Sequence, residues 1–126
     1  VELQPGLVGT VQLTVKEGDT AEALRSGDVP MLATPRVVAL AEEATVAALA
    51  GHLDPKATTV GQRVQLDHLL PSPVGRSVRA EAKLDSVEGR RLVFTVSVSC
   101  DRGLVAVGRI TRVIVNRDRF IERAAE

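Results

Sequence analysis

The sequence predicts a single α+β domain in which a five-stranded antiparallel sheet curls around one long central helix. Three observations carry this. A stretch from about residue 35 to 50 is apolar on nearly every side at helical spacing, with Val37, Val38, Leu40, Ala41, Ala44, Val46, Ala47, Ala48 and Leu49. After Pro55 the pattern changes to segments rich in Val, Leu, Ile and Thr near 58–70, 76–87, 91–101 and 104–116, separated by turn residues. The whole is 126 residues with 44% hydrophobic and 25% charged residues, which makes one folded domain, 1–126, and excludes a disordered chain. A helix with so little polar surface needs cover, and a sheet with one apolar side supplies it.

The elements follow in order. Leu7 to Lys16 alternates loosely with period two and reads as the first strand, ended by Gly18-Asp19. Residues 19–33 combine a possible helical turn, Thr20 to Leu24, with Ser26-Gly27-Asp28 and Pro30, and read as a loop able to act as a lid. Thr34-Pro35 opens the long helix, Thr as N-cap and Pro at the first helical position, where its missing N–H costs nothing. Gly51 stops it. The four later strands, divided by Pro71-Ser72-Pro73-Val74-Gly75, Glu88-Gly89 and Asp101-Arg102-Gly103, predict an antiparallel meander. The charged tail from Arg117 to Glu126 predicts a short exposed helix. Five strands leave open edges, and pairing those edges between two copies predicts a dimer at least.

Composition removes several classes of function. Sixteen basic and sixteen acidic residues balance, so no basic surface is expected to displace counterions from nucleic acid, and only Phe94 and Phe120 are available to stack on bases. The single Cys100 with His52 and His68 cannot build a four-ligand zinc site, and its solitude fits a reducing cytoplasm. Cys100 has no basic neighbour on its own strand face and reads as packing; His52, after the helix stop, reads as exposed. No apolar run approaches the roughly twenty residues of a membrane span, so no membrane partner is expected. The chain opens at Val1 without Met, as a trimmed start would. Glu88-Gly89-Arg90-Arg91 reads as a hairpin turn whose Arg pair could hold a phosphate near a site mouth.

Three polar residues stand where apolar ones are expected. On a wheel at about 100° per residue with Val38 at zero, Glu42 lies near 40° among Leu49 and Thr45, while Arg36 and Glu43 share a solvent-facing strip near 150°. A carboxylate in an apolar sector needs compensation: it reaches a helix edge, pairs with a buried Arg, or serves chemistry. In the next strand Val64, Leu66, His68 and Leu70 share one face, which puts His68 toward the helix and makes Glu42 a better partner for it than Asp67. The bland alternative is a core histidine bonded to a backbone carbonyl. Thr34, near 320° on the same wheel, either caps the helix or adds a hydroxyl to a site at its positive end.

These residues, in Thr34-Pro35-Arg36-Val37-Val38-Ala39-Leu40-Ala41-Glu42 and Val60-Gly61-Gln62-Arg63-Val64-Gln65-Leu66-Asp67-His68, resemble the hot-dog fold thioesterases, and more narrowly the fluoroacetyl-CoA thioesterase group. Pro71-Ser72-Pro73-Val74-Gly75 and the hairpin from Leu84 to Leu92 extend the likeness. The resemblance implies a catalytic set of Thr34, Glu42 and His68, with the backbone at Gly61 beside the thioester. Thr34 would orient or polarise the thioester, Glu42 would attack it or activate water, and His68 would serve as acid and base. It further implies an acyl-CoA substrate, no cofactor beyond the coenzyme A of the substrate itself, and a homodimer or dimer of dimers with sites near the subunit interface. The alternative on this fold is a non-catalytic module that binds acyl-CoA or acyl carrier protein; hydration of an enoyl-CoA ranks last, since no Asp and His pair stands at close spacing. Fluoroacetyl specificity does not carry over. The family closes its pocket with phenylalanines before the helix, and residues 19–33 hold none, offering Val29, Pro30, Met31 and Leu32. A short or medium acyl chain is expected instead.

Overall fold

In the computed structural model, which describes residues 3–126, Val8–Thr14 forms β1 and a 3₁₀ turn at Glu17–Asp19 leads into a one-turn helix α1, Ala21–Leu24. The start at Val1 lies outside the described residues. The long helix α2 spans Thr34–Leu49 and is followed by β2 (Ala57–His68), β3 (Ser77–Glu88), β4 (Arg91–Cys100), β5 (Gly103–Asn116) and the tail helix α3 (Arg117–Ala124). Every predicted element is present, and every residue of α3 is exposed. No helix among the described residues is long and apolar enough to cross a membrane.

The five strands form one antiparallel sheet in the order β1-β3-β4-β5-β2. Here the structure corrects the four-strand meander: only β3, β4 and β5 follow it, and β2 pairs with β5 instead of β3. The connector explains this. Its two prolines offer no N–H, it is too long for a tight hairpin, and it crosses the end of the sheet. The Ser72 carbonyl accepts from the Leu32 N–H at 2.8 Å, and the Gly75 N–H donates to Val15 O at 2.8 Å. This leaves β2 as a twelve-residue edge strand.

The inward face of the sheet, with Val78, Ala80, Ala82, Leu84, Leu92, Phe94 and Ile110, packs on Val37, Leu40, Ala41, Ala44, Ala48 and Leu49 of α2. Small residues let the layers approach closely. Gly9 on β1 lies so near α2 that a Cβ there would overlap the backbone of Ala44 and Ala48. The sheet covers one side of α2 only. Ala39, Val46 and Ala47 remain exposed, Val46 at 52%, so the prediction of cover on most faces is not met within one chain.

Candidate active site

Two small clusters of polar side chains lie along the seam between α2 and β2. At the helix N-terminus Ala33 is the N-cap, Thr34 is the first helical residue and Pro35 the second. Thr34 therefore does not cap. Its hydroxyl points across to the end of β2, where Oγ1 lies 2.8 Å from His68 Nδ1. His68 Nε2 is buried and has no hydrogen-bond partner among the described residues. Burial pushes the imidazole below its ordinary value, and the Leu70 backbone opposes this only in part, so the ring is neutral at pH 7. A cleft of about 390 Å³ opens beside this pair, between the strand end and the loop of residues 26–33, with Val29, Met31, Leu32 and Leu70 among its walls. That loop is fastened at both ends: Thr20 bridges to Leu32, Met31 to Pro73, and Arg36 Nε donates to Asp19 Oδ1 at 2.9 Å. Arg36, expected on an open strip, is thus half-buried and paired.

Two turns along α2 is the second cluster. The Glu42 carboxylate is one-third exposed and accepts from Arg112 Nη1 at 3.0 Å. Arg112 is 7% exposed and is clamped by Thr59, its Nε donating to Thr59 Oγ1 at 2.9 Å and its Nη2 to Thr59 O at 3.0 Å. Burial lowers the guanidinium's affinity for its proton and Glu42 restores part of it; an arginine remains a cation under these conditions. Gly61 completes the cluster. A Cβ there would overlap Glu42 Oε2, so only glycine lets the carboxylate rest against the strand.

Both clusters face the helix because β2 carries a bulge. Gly61 and His68 are seven residues apart, an odd number that simple alternation would send to opposite faces. The register slips between Gly61 and Arg63, Gln62 is left over, and both residues face α2. The predicted contact between Glu42 and His68 is not made within the chain: His68 is held by Thr34 and Glu42 by Arg112. Eight helical residues separate Thr34 from Glu42, a rise of about 12 Å, so the two clusters stay apart along the seam. Of the readings open for Glu42, pairing with a buried Arg is the one observed. Arg112 was missed by sequence reasoning, yet it had a signal: it shares alternation with Ile110 and Ile114, an arginine on the inward face of an apolar strand. His52 is half-buried, not exposed as expected, and Cys100 packs against the core.

With this geometry in view, comparison with known proteins is decisive. The family model for fluoroacetyl-CoA-specific thioesterase matches residues 15–118. The chain belongs to that family. A fluoroacetyl-CoA thioesterase from Streptantibioticus cattleyicolor is 33% identical over 90 residues, which cover 71% of this chain and 65% of that relative. A point variant of a fluoroacetyl-CoA enzyme, solved in complex with acetyl-CoA, superposes with a TM-score of 0.93 at 26% identity, covering 98% of this chain and 97% of the other. A thioesterase superfamily member from Thermus thermophilus superposes at 0.90 with 25% identity, covering 98% and 92%. The five-stranded sheet and long helix are the hot-dog fold of these thioesterases.

Proposed function

We propose that the protein hydrolyses a short- or medium-chain acyl-CoA thioester at a site shared between two subunits, using Thr34 and His68 of one and Glu42, Gly61 and Arg112 of the other. Family membership supports the chemistry. The observation that carries the composite site is the separation of two clusters on one face of an edge strand, each lacking what the other holds. Among the described residues the neutral imidazole has an unpartnered Nε2 and no carboxylate, and the carboxylate has a cation but no base.

An antiparallel pairing of β2 with its copy, centred on Gln65 and with Gln62 left over at the bulge, would put His68 opposite Gly61 of the partner subunit, side chains on the same face. It would also bury Val64, now 38% exposed, and remove the open edge.

In such a site Nδ1–H of His68 donates to Thr34 Oγ1, which frees the Thr34 hydroxyl hydrogen for the thioester oxygen and leaves the Nε2 lone pair to accept a proton from water. Glu42, oriented by Arg112, either attacks the carbonyl carbon, to form an anhydride that water then opens, or aligns the attacking water itself. On the water route the proton taken by His68 passes to the departing thiolate; on the anhydride route the thiolate leaves first and receives the proton that His68 takes from the water opening the anhydride, and both routes give free acid and coenzyme A. The reaction draws only on these side chains and water. The cleft beside Thr34 and His68, walled by Val29, Met31 and Leu32, receives the acyl group.

A thiol-release screen over acyl chain length tests this, run beside Glu42→Ala and His68→Ala. Release from a short or medium acyl-CoA that disappears in both folded variants is the expected result. Tight binding with no turnover across the panel would leave a non-catalytic acyl-CoA or carrier-protein module instead.

A further inference from the structure

The edge strand β2 carries two opposite charges that nothing in its own chain answers. Arg63 and Asp67 lie on the face of the strand turned away from α2, with Gln65 between them. Both are exposed. On β5 Arg63 meets Thr111 and Asp67 meets Val107, and among the described residues neither is in an ion pair. Arg109, also exposed, stands beside Gln65.

In the antiparallel pairing centred on Gln65 these charges find each other across the two-fold axis. Asp67 of one subunit stands opposite Arg63 of the other, twice, and Gln65 stands opposite its own copy. On the inward face Leu66 stands opposite Val64 of the other subunit. Every facing pair is then matched: acid with base, amide with amide, apolar with apolar. No neighbouring register does this. A centre at Val64 sets Arg63 against Gln65 and Asp67 against Val60, and a centre at Leu66 sets Asp67 against Gln65 and Arg63 against Leu69. Centres at Arg63 or Asp67 bring like charges together at the axis. A centre between two residues places an inward side chain opposite an outward one, and the two helices end on opposite faces of the joined sheet.

We propose that the paired Arg63 and Asp67 select this register, so that β2 recognises a second copy of this chain in the one alignment that brings Thr34 and His68 to Glu42 of the other subunit. This rests on the two-subunit site proposed above and adds what aligns it. Moving the centre by one residue slides one strand past the other by two, about 7 Å, which parts His68 from Gly61 of the partner subunit and takes the site apart. Exposed ion pairs add little affinity. Their effect is on alignment, because the adjacent registers forfeit both pairs and the next ones add repulsion.

The test uses the full chain with Arg63→Asp and Asp67→Arg, each alone, the two proteins mixed, and both changes combined in one chain. Dimer dissociation constants are measured by analytical ultracentrifugation at low ionic strength, subunit composition by native mass spectrometry, and thiol release from an acyl-CoA alongside. Each single variant puts like charges opposite each other twice, and its self-association is expected to weaken roughly thirtyfold. Mixed, the two variants restore opposite charges in both pairs, so heterodimers should form well above the statistical half. Combined in one chain, the exchanged charges return the dissociation constant to within about threefold of wild type. High salt shrinks each effect. Single variants that self-associate as the wild type does would overturn the proposal, as would a statistical mixture or a double exchange no better than either single change. A wild-type chain that stays monomeric would overturn both this alignment and the shared site. If the charge rules are obeyed and no dimer releases thiol, the hydrolase reading fails while the alignment stands.

Discussion

Replacing Arg112 by Leu tests how the carboxylate on α2 is held. The guanidinium makes three hydrogen bonds, one to Glu42 and two to Thr59. Its loss removes the counter-charge from Glu42 and strands two oxygens of Thr59, a residue only 9% exposed. Removing one partner of a buried pair costs about 3–5 kcal/mol, and an apolar Leu in the space returns about 1–2 kcal/mol through burial. Glu42 is one-third open to water, which tempers the loss, so a net cost of about 2–3 kcal/mol is expected. The informative form is a double-mutant cycle with Glu42→Ala in urea. With the carboxylate gone, Arg112→Leu should cost about 1–2 kcal/mol less than in the wild type, because no anion is left unpaired. Thiol release in the folded Arg112→Leu variant should fall about a hundredfold, since the carboxylate is no longer aimed. Additivity within about 0.3 kcal/mol, or a variant with wild-type turnover, would refute the reasoning.

Two other positions give sharp expectations. Gly61→Ala pushes a methyl group onto Glu42 Oε2; it should cost about 1–3 kcal/mol of stability and abolish most thiol release, while Gln62→Ala, an exposed position, does neither. The acid limb of kcat/KM should have its midpoint below the ordinary histidine value of about 6.5, because burial favours neutral His68. The same shift fixes the sign for stability. As pH falls through about 6.5 the unfolded chain takes up a proton that the folded ring resists, so stability declines until the folded ring is also protonated, and His68→Gln removes that decline. An acid limb centred above 6.5 would contradict a buried, neutral base.

The elements were legible because each is written in local chemistry: Pro35 near the start of α2 and Gly51 after its end, β-branched runs between turn residues. Strand order was not, because the sequence of segments does not say which edge β2 joins, and only the crossing connector through Pro71 and Pro73 decides it. In the site, alternation correctly turned His68 inward and the wheel correctly marked Glu42 as out of place. The pairing of these two, in one subunit or across two, was an inference from burial; within one chain His68 takes Thr34 and Glu42 takes Arg112. Thr34 was read as a cap or a site hydroxyl because its position allows both; the backbone begins the helix one residue earlier than a Thr34 cap would require, and the hydroxyl goes to His68. The bulge at Gln62, which brings Gly61 and His68 to one face, leaves no mark in residue type.

The composite site makes a demand that no single-chain site makes. Mixing folded, inactive Glu42→Ala with folded, inactive His68→Ala under conditions that exchange subunits forms mixed dimers in which one site carries both lesions and the other carries neither. Thiol release should then return to about a quarter of the wild-type value, half of the dimers having one intact site. No recovery, with subunit exchange demonstrated by mass spectrometry, would contradict a site built from two chains.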